Sequence, residues 1–172
     1  MELWDLYDID RIPTHYTARR GEKLDRDEYH MVIHVCIFNS EGKMLIQQRQ
    51  STKRGWPDRW DVTCGGCAVA GETSRQAAAR ELFEELGIKL SFKNLRTAVT
   101  VNFNNGFDDF YLINLDVDEN TLKLQAEEVQ AVRWASQDEI LSLIDEGKFI
   151  PFFKSFIRLL FDIRHKPDCL NI

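Results

Sequence analysis

From Tyr29 onward the chain alternates short apolar runs with clusters of turn residues. YHMVIHVCIF (29–38) is β-branched and apolar at both parities, the pattern of a strand buried on both faces. KMLIQQR (43–49) follows the turn cluster Asn39-Ser40-Glu41-Gly42, so the two segments predict a β-hairpin. Residues 51–61, with Pro57 and two tryptophans, read as loop. Residues 73–86 have helical composition and stop at Gly87. Two strands follow within 91–103 and 106–117, joined at Asn104-Asn105-Gly106, and a further strand spans 128–135. Ser136 with Glu139 forms a capping box for a helix ending at Gly147, and a last apolar helix covers about 151–163. Residues 1–28 are polar, charge-rich and without sustained periodicity. They predict an N-terminal extension, with a short strand at most, packed on one domain over 29–172. Strands before and after a central helix, with more helix at the end, give an α+β class in which helices sandwich a mixed β-sheet. A Rossmann arrangement is excluded, because strand-helix alternation and a G-x-G-x-x-G turn are both missing.

Composition narrows the functional classes. The chain has 172 residues, 44% hydrophobic, enough for one domain to bury its core without staples. A net charge of −6 disfavours a nucleic-acid binder, which needs a basic face. It leaves room for a local phosphate pocket, for which Arg49, Lys53, Arg54 and Arg59 are the basic cluster at hand. No basic leader with an apolar stretch and no long apolar run occurs, so neither secretion nor a membrane partner is expected. The four cysteines have no disulfide-framework pattern, and a reducing, cytoplasmic compartment is the simplest expectation.

The chemistry concentrates in TCGGCAVAGE (63–72) and the helix after it. Cys64-Gly-Gly-Cys67 has the spacing of a redox dithiol or half a zinc site, but no second Cys/His pair with zinc spacing follows. The glycines have a use of their own, since backbone carbonyls at Gly66 and Gly71 can approach an ion with no Cβ in the way. At about 100° per residue, Glu81, Glu84 and Glu85 share an arc of about 100°, next to a packed arc of Ala78, Ala79, Leu82, Phe83 and Leu86. Like charges at these spacings destabilise a bare helix by a few tenths of a kcal/mol per pair, roughly. A solvated acidic face is the bland reading. A hard divalent cation, Mg²⁺ or Mn²⁺, held by carboxylate and carbonyl oxygens and by substrate phosphate, is the functional one.

Gly66, Glu72 and Arg80-Glu81-Leu82-Phe83-Glu84-Glu85-Leu86-Gly87-Ile88 resemble the Nudix box, G-x5-E-x7-R-E-U-x-E-E-x-G-U, at all nine specified positions. The similarity extends through the strand pair 29–49, the Trp60-Asp61 loop end and the strands up to Trp134. The resemblance implies a Nudix fold with a loop-helix-loop box, and hydrolysis of a nucleoside diphosphate derivative or related pyrophosphate by water attack on phosphorus. It implies metal ligation by Glu81, Glu84, Glu85 and the Gly66 carbonyl, with Glu72 and Arg80 fixing the loop geometry. Arg80 is counted with the three glutamates in the catalytic set. Beyond the box, Arg49 and Arg54 are candidate phosphate contacts, Trp60 a ring to stack on a nucleobase, and Asp109 a substrate-facing acid. Asp108, Asp109, Glu127 and Glu128 are candidates to accept the proton, besides Glu81 within the box.

The chain also resembles type I isopentenyl diphosphate isomerases, on the His30 strand, Gln47-Gln48-Arg49, the Trp-Pro and Trp-Asp loop and Cys-Gly before Gly71-Glu72. That family's catalytic cysteine falls on Gly65, its metal-binding histidine on Cys67, and its catalytic glutamate near Asp109 or Tyr111. With three functional positions changed and the hydrolytic box complete, hydrolysis is the expected reaction, isomerisation the alternative and a non-catalytic nucleotide-binding module the third reading. His30 and His34 share a strand face about 13 Å apart, too far to chelate one ion. The phenylalanines of 149–156 with Ile157 and Leu160 predict a core-covering helix with surface left for a homodimer contact or an apolar substrate pocket.

Overall fold

The computed structural model describes residues 2–165; Cys169 lies outside them. Among these residues nine strands and three α-helices follow in chain order. The strands are β1 (Leu3–Tyr7), β2 (Pro13–Arg19), β3 (His30–Phe38), β4 (Met44–Arg49), β5 (Trp60–Asp61), β6 (Cys64–Cys67), β7 (Val99–Phe103), β8 (Gly106–Asn114) and β9 (Val129–Ala135). The helices are α1 (Ser74–Leu86), α2 (Gln137–Asp145) and α3 (Lys154–Asp162).

Seven strands make one mixed sheet in the order β5-β4-β3-β8-β7, with β6 beside β3 and β9 beside β4. The spine is β3, which runs parallel to β8 from His30↔Gly106 to Phe38↔Asn114. The hairpin expected over 29–49 is present only at its root. β3 and β4 share the single register pair Phe38↔Met44, because Cys64–Cys67 takes the edge of Val32–Val35 instead. β4 swings away to pair with β5 and β9, so the sheet forks between β4 and β6.

The two parities of β3 feed two cores. Met31, Ile33, Val35 and Ile37 pack against Ala77, Ala78, Leu82 and Leu86 of α1. Cys36 and Phe38 face Ile140 and Leu141 of α2 and Ile157, Leu160 and Phe161 of α3. Each fully buried aliphatic side chain contributes roughly 1.5–3 kcal/mol. The result is a mixed sheet with helices on both faces, as the order of elements predicts. Phe83, placed by the wheel at the margin of the packed arc of α1, is 47% exposed, with Lys89 over its ring.

The helix ends follow local signals. Thr73 and Gln76 form a reciprocal capping box at the start of α1, and Gly87 closes it in the left-handed region at φ 73. Ser136 and Glu139 do the same at the start of α2.

The N-terminal segment differs from the expectation. β1 and β2 form an antiparallel hairpin docked on the domain. Tyr7 and Tyr29 exchange backbone hydrogen bonds, the Ala70 N–H donates to the Leu3 carbonyl, and Trp4 stacks on His30 at 4.2 Å. Within the described residues no helix is long and apolar enough to cross a membrane.

Candidate active site

The segment 64–87 is strand, turn and helix, held in shape by one arginine. Arg80 reaches back from α1 to Glu72 through a bidentate pair of 2.7 and 2.9 Å, and to the Cys67 carbonyl at 3.1 Å. Its remaining nitrogen donates to Glu81 at 2.9 Å and Glu84 at 3.0 Å. Glu72 also accepts from the Val69 N–H at 3.1 Å, so the loop is clamped to the helix at both ends.

Beside this clamp opens a cleft of about 210 Å³. Arg80, Glu81, Glu84 and Glu85 form one wall and Gly65 and Gly66 the floor, while Lys53, Gln125 and Glu128 come from outside the box. Glu2 and Arg20, from the N-terminal hairpin, complete the lining. Fully ionised, five glutamates face three cations, an excess of two negative charges.

Glu85 is 5% exposed, and its one side-chain partner is the Gln47 amide, which donates at 2.9 Å. Burial, then the charge of Glu81, push its carboxyl up to about 7, against the Gln47 bond. Burial also raises Glu81, with Arg80 opposing. Gln47 is 2% exposed, and its Oε1 has no hydrogen-bond partner. A Cβ at Gly66 would overlap the Glu81 carboxylate, so any larger residue there would displace that carboxylate from the cleft wall. At Gly65 a Cβ would stand 2.6 Å from the His34 ring, whose Nδ1 is held by Asp108 at 2.7 Å.

The donor set fits a hard divalent ion. Among the described residues no three His, Cys, Asp or Glu side chains stand close enough to enclose a metal by themselves. What the cleft offers is carboxylate oxygens on one wall and open volume opposite, which suits an ion that keeps waters and accepts phosphate oxygens as remaining ligands. A structural zinc site would need four closed ligands. Cys64 and Cys67 do not supply them: three residues apart on β6, they point to opposite faces, about 10 Å apart along the strand. Burial raises both thiols, Cys67 to about 11, so neither is a thiolate.

The box residues Gly66, Arg80, Glu81, Glu84 and Glu85 thus meet in one cleft, whereas the four residues read as substrate contacts do not line it. Arg49 donates to Asp61 at 3.2 Å and to the Gly55 carbonyl at 3.1 Å. Arg54 is exposed in the loop after β4. Trp60 is bracketed by the backbone of Lys148 and Ile150, with Arg133 over its ring at 5.2 Å. Asp109 is fully buried and receives Arg11, Ser74 at 2.5 Å and Thr100 at 2.6 Å. Of the acids weighed as proton acceptors outside the box, Glu128 lines the cleft, ion-paired with Lys53. Asp108 is taken by His34 and Glu127 is exposed. Sequence reasoning assigned no role to Gln47 or Arg20; the strand parity that puts Gln47 on the Leu45 side was readable, its meeting with α1 was not.

The NUDIX domain model matches residues 28–158. The Nudix hydrolase lin0387 of Listeria innocua is 47% identical over 165 residues, covering 96% of this chain and 96% of that protein. An isopentenyl-diphosphate Delta-isomerase of Pectobacterium atrosepticum is 31% identical over 118 residues, 67% of this chain and 66% of that protein. Among solved structures, DR0079 from Deinococcus radiodurans superposes with a TM-score of 0.76 at 22% identity, covering 91% of this chain and 98% of that one. The box geometry, the fold and these likenesses agree that the chain belongs to the Nudix family and is a pyrophosphohydrolase of it.

Proposed function

We propose that the protein hydrolyses a nucleoside diphosphate derivative or related small pyrophosphate, with Mg²⁺ or Mn²⁺, by attack of water on phosphorus. Nudix hydrolases generally act with divalent metal ions. The observation that carries the reading is the cleft itself, where Glu81, Glu84 and a buried Glu85, once ionised, leave a negative excess that an added cation would neutralise. A polyanionic substrate is repelled from such a cleft until cations are bound.

Glu81, Glu84 and Glu85, with the Gly66 carbonyl, would hold the ion, which when bound supplies Lewis acidity and lowers the pKa of water. Arg80 fixes the two outer glutamates and the loop carbonyl in register. Lys53, from the loop after β4, brings a positive charge to the cleft. Glu128, which lines the cleft beside Lys53, would accept the proton of the attacking water.

Isomerisation by proton transfer at carbon requires an acid and a base on opposite sides of the substrate. Gly65 offers no titratable group, Asp109 is occupied on both oxygens, and the Tyr111 hydroxyl is bonded to Ser74 at 2.7 Å. Turnover of nucleotide sugars, dinucleotides and nucleoside di- and triphosphates in ¹⁸O-labelled water tests the reading. The label should enter a phosphate-containing product, and Glu85→Gln should lower turnover by roughly 100-fold or more, several kcal/mol in the barrier. Deuterium exchange into isopentenyl diphosphate at a catalytic rate, with no ¹⁸O in any phosphate, would overturn it.

A further inference from the structure

The cleft is not built by the box and its domain alone. Residues 28–158 match the family's domain, yet Glu2 and Arg20 of the β1–β2 hairpin line the same cleft as Glu81, Glu84 and Glu85. The hairpin holds this position through contacts spread along it. Tyr7 and Tyr29 pair at 2.8 and 3.1 Å, Leu3 accepts from Ala70 at 2.8 Å, and Asp5 accepts from the Gly71 N–H at 2.7 Å. Two of these contacts fall on the turn that leads from β6 into α1, so the hairpin is registered against the box itself.

The three cations of the cleft are differently committed. All three guanidinium nitrogens of Arg80 are bonded, to Glu72, Glu81, Glu84 and the Cys67 carbonyl. Lys53 is ion-paired with Glu128 and its side chain is 18% exposed. Arg20 is 54% exposed and makes one side-chain bond, from Nη1 to Glu2 at 2.7 Å. Its Nε and Nη2 have no hydrogen-bond partner among the described residues. A guanidinium carries five N–H donors in a fork matched to phosphate oxygens, so Arg20 is the cleft cation with donors to give.

We propose that Arg20, delivered by the N-terminal hairpin, is a substrate-binding residue that takes a phosphate oxygen of a diphosphate ligand in exchange for Glu2. The inference rests on the hydrolase reading above and adds to it that the segment upstream of the matched domain forms part of the active site. Glu2 holds the guanidinium at the cleft in the ligand-free protein, and competes with the ligand for it.

Calorimetric binding of imidodiphosphate to the full chain, in the presence of Mg²⁺, reads this without turnover. Arg20→Ala should weaken binding roughly tenfold, the worth of one charge-assisted hydrogen bond, and Arg20→Lys should recover part of it. Mn²⁺ binding without the ligand should stay within about threefold in both. Glu2→Gln separates ligand binding from a tether: if the pair only fastens the hairpin, Glu2→Gln and Arg20→Ala weaken binding alike, and the proposal falls. If Arg20 meets phosphate, Glu2→Gln binds as tightly as wild type or more so. Metal-dependent binding that is indifferent to Arg20 overturns this inference alone. A wild type that binds neither Mn²⁺ nor imidodiphosphate overturns the hydrolase reading and this inference with it.

Discussion

Gln47 reaches a wall of the cleft without belonging to the box. It is the one side-chain partner of buried Glu85, and its own oxygen lacks a partner. Gln47→Leu removes the donor that orients a proposed metal ligand, and losing such outer partners typically weakens metal binding by roughly 10- to 100-fold. Mn²⁺ affinity followed by electron paramagnetic resonance should fall by that factor; an unchanged affinity would separate Gln47 from the metal. Gly66→Ala makes a second test at this scale. The new methyl overlaps the Glu81 carboxylate, and a displacement of about 1 Å at a reacting centre is worth roughly 100-fold in turnover. The glutamates and Gly66 were legible because one helix turn and one strand set their spacing. Gln47 was not, because its contact with Glu85 spans 38 residues and depends on the fork in the sheet.

At the scale of elements, Asp109 ties together pieces that are far apart in sequence. Its two oxygens accept from Arg11 in the loop after β1, from Ser74 at the start of α1 and from Thr100 on β7. Asp109→Ala would leave these donors without their acceptor in a buried site, at a cost of about 3 kcal/mol or more. Chemical denaturation should show that loss, and amides of β1 and β2 should lose protection in hydrogen exchange before those of β3. A variant that keeps its stability and raises only KM would return Asp109 to the role of substrate contact. The elements that the sequence made plain, α1 and α2, carry their own caps. β2 gave no signal because it has almost no apolar face. In Pro13–Arg19 only Ala18 is buried, and the strand is held by β1 rather than by a core of its own. The 29–49 hairpin is confined to its root for a related reason: local turn chemistry predicts where strands end, but Cys64–Cys67, arriving later in the chain, decides which edge β3 uses.

Over the whole molecule, the charge of the proposed metal cleft links protonation to stability. Glu85 sits near 7 in the folded protein against an ordinary value of 4.5. A group whose folded pKa is raised contributes stability that is fully present below the unfolded value and is lost as pH rises through the folded one. The metal-free protein should therefore lose on the order of 3 kcal/mol between about pH 4.5 and 7 from this one group. A bound cation supplies the charge that burial and Glu81 deny, so the thermal shift produced by Mg²⁺ should be small near pH 5 and grow toward pH 8, with proton release on binding. Two histidines titrate nearby. Burial lowers the pKa of His34 but the Asp108 hydrogen bond and charge more than reverse it, giving the same sign as Glu85. His30 is lowered by burial and has the opposite sign. Both histidines remain in Glu85→Gln, so the difference between that variant and wild type isolates the glutamate. The metal-free melting temperature of Glu85→Gln should exceed that of wild type at about pH 8, converge with it near pH 5, and no longer respond fully to Mg²⁺. Parallel pH curves for the two proteins would mean that Glu85 is ionised without a cation and that the cleft does not need the metal to balance its charge.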